Sequence, residues 1–329
     1  MNAGHLAIEA HEQSWPLDKP FRISRGTRTE ARVIVVTVTD GQHIGRGEAV
    51  PIRRYNQSTA SVLTQIESIK SSQSFDRQQV QKLLPAGAAR NALDCALWDL
   101  EAKISGKRAW ELAKIPLVHE VETSFTISLD TPAAMAGVAK ANAIAPILKL
   151  KLGGDDLDLA RVEAVHGTAP AARLLLDANE SWTPDYYRKV VPSLRQFSVE
   201  LIEQPFPADG DEVLETLDHP IPICADESCH TTADLPRLTN RYEMVNVKLD
   251  KTGGLTEALF LCERAREAGF NLLIGCMVCT SLGIAPARLL ASAADYVDLD
   301  GPLLLAGDRH HPVPYHNGRI GVPARELWG

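Results

Sequence analysis

Ile147-Leu148-Lys149-Leu150-Lys151 is a short apolar run that carries two lysines two residues apart. Side chains alternate along a β-strand, so both ammonium groups leave one face. The runs that follow share its form. Leu174-Leu175-Leu176-Asp177, Val199-Glu200-Leu201-Ile202-Glu203 and Ile221-Pro222-Ile223-Cys224-Ala225-Asp226 each end in an acid, and Met244-Val245-Asn246-Val247-Lys248 ends in a lysine. A helix-compatible stretch follows each run, and that alternation predicts a parallel β/α barrel. Strands are expected near 123–129, 147–151, 173–177, 199–203, 221–226, 244–248, 271–275 and 295–299. Asp130-Thr131-Pro132 starts a helix, with Asp130 or Thr131 as its cap and Pro132 in the first turn.

Barrel chemistry sits at the C-terminal ends of the strands. Three successive strand ends there offer Asp177, Glu203 and Asp226 as hard oxygen ligands, a set that suits Mg²⁺. A strand-end acid often does no more than cap the next helix. Three in succession, flanked by Lys149, Lys151 and Lys248, ask for a chemical reason. A divalent cation acidifies the α-hydrogen of a carboxylate bound to it, because it stabilises the enediolate. A lysine base must be neutral, and its ordinary pKa of about 10.4 is lowered by burial and by a neighbouring positive charge. Lys149 is placed to depress Lys151 or to bind the substrate carboxylate. Lys248 arrives from across the barrel. Two lysines on opposite faces of one carbon support racemisation or epimerisation.

The chain outside the barrel reads differently. Ala31 to Thr39 is a β-branched strand, Asp40-Gly41 a hairpin turn, and His43 to Glu48 the start of the returning strand. A helix is expected from Ser58 to Ser71. Ala89, Leu93, Leu97 and Leu100 mark one apolar helical face that Gly106 ends. The expected organisation is an α+β domain over 1–118, the barrel over 119–311 and a tail over 312–329 that packs on the first domain.

The chain has 329 residues, 45% hydrophobic and 23% charged, with a net charge of −8. No basic block suggests nucleic acid, and no apolar stretch reaches the ~18 residues that span a bilayer. The first ten residues lack the form of a signal peptide, which predicts a cytoplasmic protein. The six cysteines fit reduced thiols; the CxxC of Cys276 and Cys279 has no second ligand pair to make a zinc site. The oligomeric state, homo-oligomer included, is left open.

The lysine pair, the three acids and Lys248 resemble, in order and spacing, the site of the enolase superfamily, muconate-lactonizing subgroup. The resemblance covers nearly the whole chain. It implies an α/β fold: a modified (β/α)₇β TIM-like barrel whose last helix is lost or displaced, under an N-terminal α+β capping domain. Asp298-Leu299-Asp300 resembles the DxD signature of dipeptide epimerases, whose two acids hold a substrate ammonium. Phe21-Arg22-Ile23-Ser24-Arg25-Gly26 resembles their mobile loop, where Arg25 would meet a glutamate side chain. The runs 86–94, 177–182 and 248–254 are similar to the same group. The implied function is Mg²⁺-dependent epimerisation of L-Ala-D-Glu to L-Ala-L-Glu, on a small dipeptide from the cell wall. The alternatives on this scaffold are an N-acylamino acid racemase, o-succinylbenzoate synthase or a cycloisomerase. A Schiff-base lyase and a non-catalytic peptide binder are rivals of other classes.

Overall fold

The computed structural model describes residues 6–70 and 75–329. Its first part is an antiparallel meander of β1 (Ala7–Ile23), β2 (Gly26–Thr39) and β3 (Ile44–Ala49), followed by α1 (Thr59–Ile69), α2 (Arg77–Leu83), α3 (Ala88–Ser105) and α4 (Ala109–Ala113). The β-branched run of β2 alternates between two cores. Ile34, Val36 and Val38 face the capping domain's own core, while Val33 and Val35 join the core shared with the barrel. Helix α3 is divided the same way: Ala89, Leu93, Leu97 and Leu100 face inward, and Cys95 and Trp98 face the barrel. The sequence showed one of these faces and not the other. The expected helix from Ser58 is α1, capped by Ser58; Ser71 lies outside the described residues.

Strand β1 is the element the sequence did not reveal. It contains Pro16 and Pro20, which weaken a strand pattern. It is an edge strand, paired with β2 and bridged at Leu17 to Leu305, and its register on β2 shifts between Pro16 and Phe21. In the returning strand, a Cβ on Gly47 would lie 2.0 Å from the Ala92 carbonyl of α3. Gly47→Ala must push strand and helix apart, at a cost of about 3 kcal/mol. Urea denaturation should show the midpoint falling with the slope unchanged.

A short β4 (Val121–Glu122) precedes the barrel strands: β5 (Phe125–Ile127), β6 (Ile147–Lys151), β7 (Arg173–Asp177), β8 (Val199–Glu203), β9 (Ile223–Ala225), β10 (Met244–Val247), β11 (Asn271–Gly275) and β12 (Tyr296–Asp298). They form one eight-stranded parallel sheet in chain order, and Ser124 N donates to Val297 O (2.9 Å) where its edges meet. The helices are α5 (Pro132–Ala141), α6 (Asp158–Thr168), α7 (Pro184–Leu194), α8 (Leu235–Leu238), α9 (Leu249–Thr252), α10 (Leu255–Glu267) and α11 (Ser281–Arg288). Thr131, rather than Asp130, caps α5. Only a 3₁₀ turn, Asp211–Thr216, links β8 to β9, and another, Gly301–Leu304, follows β12. No helix among the described residues is long and apolar enough to cross a membrane.

Alternation along these strands sorts the side chains. Leu148 and Leu150 point out to the helices, while Ile147 points into the lumen with Leu175, Leu201, Cys224, Met244 and Leu273. Those six form an apolar floor. The next inward positions, one or two pleats further along, are Lys149, Lys151, Asp177, Glu203, Asp226 and Asn246. The polar layer therefore rests on a packed base at the C-terminal mouth. The tail adds β13 (Tyr315–His316) and β14 (Arg319–Ile320), a hairpin on β4. It ends with Trp328 donating to Cys95 O (3.0 Å) and Gly329 N to Asp99 (2.7 Å).

Candidate active site

Register brings the acids together. Lys151 stands beside Asp177 and Asp177 beside Glu203 on adjacent strands, and Asp226 follows the end of β9. One oxygen from each of the three carboxylates lies within 4.8 Å of the others, and all three residues are buried. Three buried carboxylates converging from three strand ends form a hard, anionic donor set, the chemistry a divalent cation requires. The residues fit the metal expected from the sequence.

Four buried lysines surround this set. Lys149 Nζ lies 2.6 Å from Glu203, 2.7 Å from Asp298 and 3.4 Å from Asp177. Lys151 pairs with Asp177. Lys248 Nζ is 2.6 Å from Asp226, and Lys251 Nζ is 2.6 Å from its other oxygen. Burial works to lower Lys149, but Asp298, Glu203 and Asp177 outweigh it and hold the ammonium charged. Lys248 is likewise opposed by burial and raised by Asp226 and Glu203. Among the acids, burial lifts Glu203 to about 7, with Asp177 adding to it. Asp226 stays well below the carboxylate range, because Lys248 and Lys251 overcome its burial.

Lys251 is a site residue that the sequence does not single out, and it does not pair with Asp250, because neighbours on a helix do not face each other. Lys251 instead donates to Asp226 and to Asn246 O (2.9 Å). Asp250 turns away and accepts from Val50 N (2.8 Å) and Asn91 Nδ2 (2.9 Å), tying the barrel to the capping domain. Asn246 and Gln204 also position the acids: Asn246 Nδ2 donates to Glu203 (2.8 Å), and Gln204 accepts from Asp226 N (2.8 Å). Their signal in the sequence was faint, a polar residue inside or just after a strand.

The β1–β2 hairpin closes over the mouth. Arg22 N donates to Ser128 Oγ (2.7 Å) on one side, and Arg25 reaches the other. There its guanidinium binds Asn179 O (2.7 Å), Glu180 (3.0 Å) and Glu227 (2.6 Å). Arg25 thus lines the cavity with its charge matched by the protein's own acids. The cavity beneath is about 980 Å³, partly open to solvent, and includes Lys149, Lys151, Lys248, Asp298 and Asp300 on its wall. Asp298 accepts from Ser124 Oγ (2.5 Å) and Lys149 (2.7 Å), and Asp300 from Thr126 N (2.6 Å). Burial raises Asp300 to about 7, helped by Asp298.

Residues 6–113 match the mandelate racemase / muconate lactonizing enzyme N-terminal domain, and residues 133–326 match the enolase C-terminal domain-like model. The chain is 46% identical to the L-Ala-D/L-Glu epimerase of Escherichia coli, over 95% of this chain and 98% of the relative. It is 45% identical to the N-acetyl-D-glutamate racemase of a Pseudoalteromonas species, over 90% of this chain and 95% of that one. An enolase family member from Agrobacterium tumefaciens, with homology to dipeptide epimerases and solved with sodium, L-Ala-L-Glu and an ordered loop, superposes with a TM-score of 0.96. That structure is 45% identical and covers 98% of this chain and 100% of its own.

Proposed function

The chain belongs to the enolase superfamily, as an isomerase of the mandelate racemase and muconate lactonizing enzyme group, and on that premise we propose that it epimerises L-Ala-D-Glu to L-Ala-L-Glu. The observation that carries this reading is the placement of Lys151 and Lys248. They extend from β6 and from the end of β10, four strands apart in a sheet of eight, into one cavity with the three acids between them.

Asp177, Glu203 and Asp226 would hold Mg²⁺, which when bound would stabilise negative charge on a substrate carboxylate and offset the acids that keep Lys248 charged. One of Lys151 and Lys248, neutral, takes the α-proton from its side of the substrate. The other, charged, delivers a proton to the opposite side. Lys149, buried among Glu203, Asp298 and Asp177, stays an ammonium and adds positive potential where negative charge develops. The hairpin across the mouth limits the access of bulk water to the reacting carbon. Asp298 and Asp300 receive the free ammonium of the dipeptide. All six cysteines are free thiols, the state kept in a reducing cytoplasm, where cell-wall peptides would be recycled.

A second reading has support of its own. Asp298 is already matched by Lys149 and Ser124, and a relative of equal similarity is a racemase of an acylated glutamate. The two readings differ in the acyl group on the glutamate nitrogen: alanyl carries a free ammonium and acetyl carries none. On the dipeptide reading, N-acetyl-L-Ala-L-Glu and N-acetyl-L-Glu should react at least about tenfold more slowly than L-Ala-L-Glu in kcat/KM, because a buried carboxylate is left unmatched. Comparing α-hydrogen exchange in D₂O decides it. A faster rate on N-acetyl-L-Glu transfers the assignment to the racemase.

A further inference from the structure

Five arginines line the capping side of the cavity: Arg25, Arg28, Arg32, Arg53 and Arg54. Three of them are matched by acids. Arg25 pairs with Glu180 and Glu227, Arg54 with Glu180, and Arg32 with Glu30. Arg28 and Arg53 have neither a salt bridge nor a side-chain hydrogen bond to any described residue, although both face the cavity. The acids around them are already engaged: Glu30 by Arg32 and Ser14, and Glu227 by Arg25.

Their place in the fold is informative. Arg28 lies on β2 opposite Phe21, near the hairpin tip, and on the same strand face as Glu30 and Arg32. Arg53 opens the 3₁₀ turn Arg53–Tyr55 that follows β3. Both belong to the cap, whereas the lysines and the three acids rise from the barrel floor. A small substrate whose α-carboxylate sits at the acids must extend its side chain toward the cap. The surroundings of Arg28 are short of negative charge: burial lowers it, and Arg53 and Arg25 lower it further.

Resting on the function proposed above, we propose that Arg28 and Arg53 together receive the side-chain carboxylate of the substrate and set its acidic preference. Arg25 has a different part, as the latch that ties the hairpin tip across the mouth to Asn179, Glu180 and Glu227. A guanidinium pair of this kind recognises a carboxylate through charge-assisted hydrogen bonds and gives an amide of the same shape much less.

The test measures Kd by calorimetry, with Mg²⁺ present, for L-Ala-L-Glu and L-Ala-L-Gln. It compares the wild type with Arg28→Met, Arg28→Lys, Arg53→Met and Arg25→Met, and follows α-hydrogen exchange in D₂O alongside. The wild type should prefer Glu to Gln by about tenfold or more. Arg28→Met and Arg53→Met should each reduce that ratio severalfold, and Arg28→Lys should recover most of it. Arg25→Met should weaken both peptides alike and leave the ratio standing. A wild-type ratio near one, a ratio unmoved by Arg28→Met, or a ratio that collapses in Arg25→Met alone would overturn the assignment. Should the ratio move as expected while neither peptide exchanges its α-hydrogen, the proposed reaction is wrong and the arginine pair stands. A wild type that binds neither peptide overturns both.

Discussion

Lys151→Ala and Lys248→Ala should each abolish interconversion of L-Ala-L-Glu and L-Ala-D-Glu, by at least about 10³-fold, the scale of a lost general acid or base. Hydrogen exchange behaves otherwise. A lysine that takes the α-proton can trade it with solvent and return a deuteron to the same face. Each variant should therefore still exchange one diastereomer, and the two variants should exchange opposite ones. The geometry supports this, because the two ammonium groups come from strands four apart in a sheet of eight. Lys149→Met should slow both directions together, since Lys149 binds three acids and is the more deeply buried. Deuterium incorporation into each diastereomer, followed separately by mass, makes the check. Interconversion near the wild-type rate in either single variant defeats the two-base scheme. Exchange of the same diastereomer in both variants defeats the assignment of opposite faces.

Exhaustive chelation should reduce turnover to background, a loss of about 10³-fold or more, and Mg²⁺ should restore it. One oxygen from each of three buried carboxylates lies within 4.8 Å of the others, a donor set that suits a divalent cation. Asp226→Asn should lose activity at any Mg²⁺ concentration, because it removes one donor and unbalances Lys248 and Lys251. Circular dichroism should report a folded protein with a lowered Tm, as expected when buried lysines lose a partner. Full turnover after complete metal removal would show that the lysines act without a cation.

The barrel was legible because its signals are local. Six of the eight strands are short apolar runs with a charged residue at the end, and that residue marks both the strand boundary and the site. The expected strands fall within a few residues of those observed, with the first one, expected over 123–129, shortened to Phe125–Ile127. What stayed hidden depends on distant parts of the chain. Nothing near Pro16 announces that β1 is an edge strand, since that is settled by what lies beyond it. Nothing near Lys251 announces Asp226, 25 residues away. Asp298 could be read as an ammonium ligand, but its engagement by Lys149 crosses 149 residues. Arg25 was visible as a loop arginine, whereas the acids that claim it, Glu180 and Glu227, lie on two different barrel loops.

Strand β2 has one more consequence. Its second half is fixed on both faces by two cores, while Gly26, Thr27 and Thr29 are exposed at the hairpin tip. One continuous strand is therefore invariant at one end and free to vary at the other. Substitutions at 26–30 can be sampled without loosening either core, and they leave in place the Arg25 latch and the proton-transfer groups, which are set in a different part of the chain. A lineage built on this chain can change its diet without relearning its chemistry. Libraries confined to the hairpin tip and to residues 53–54 should thus yield folded proteins that differ in which side chain they accept.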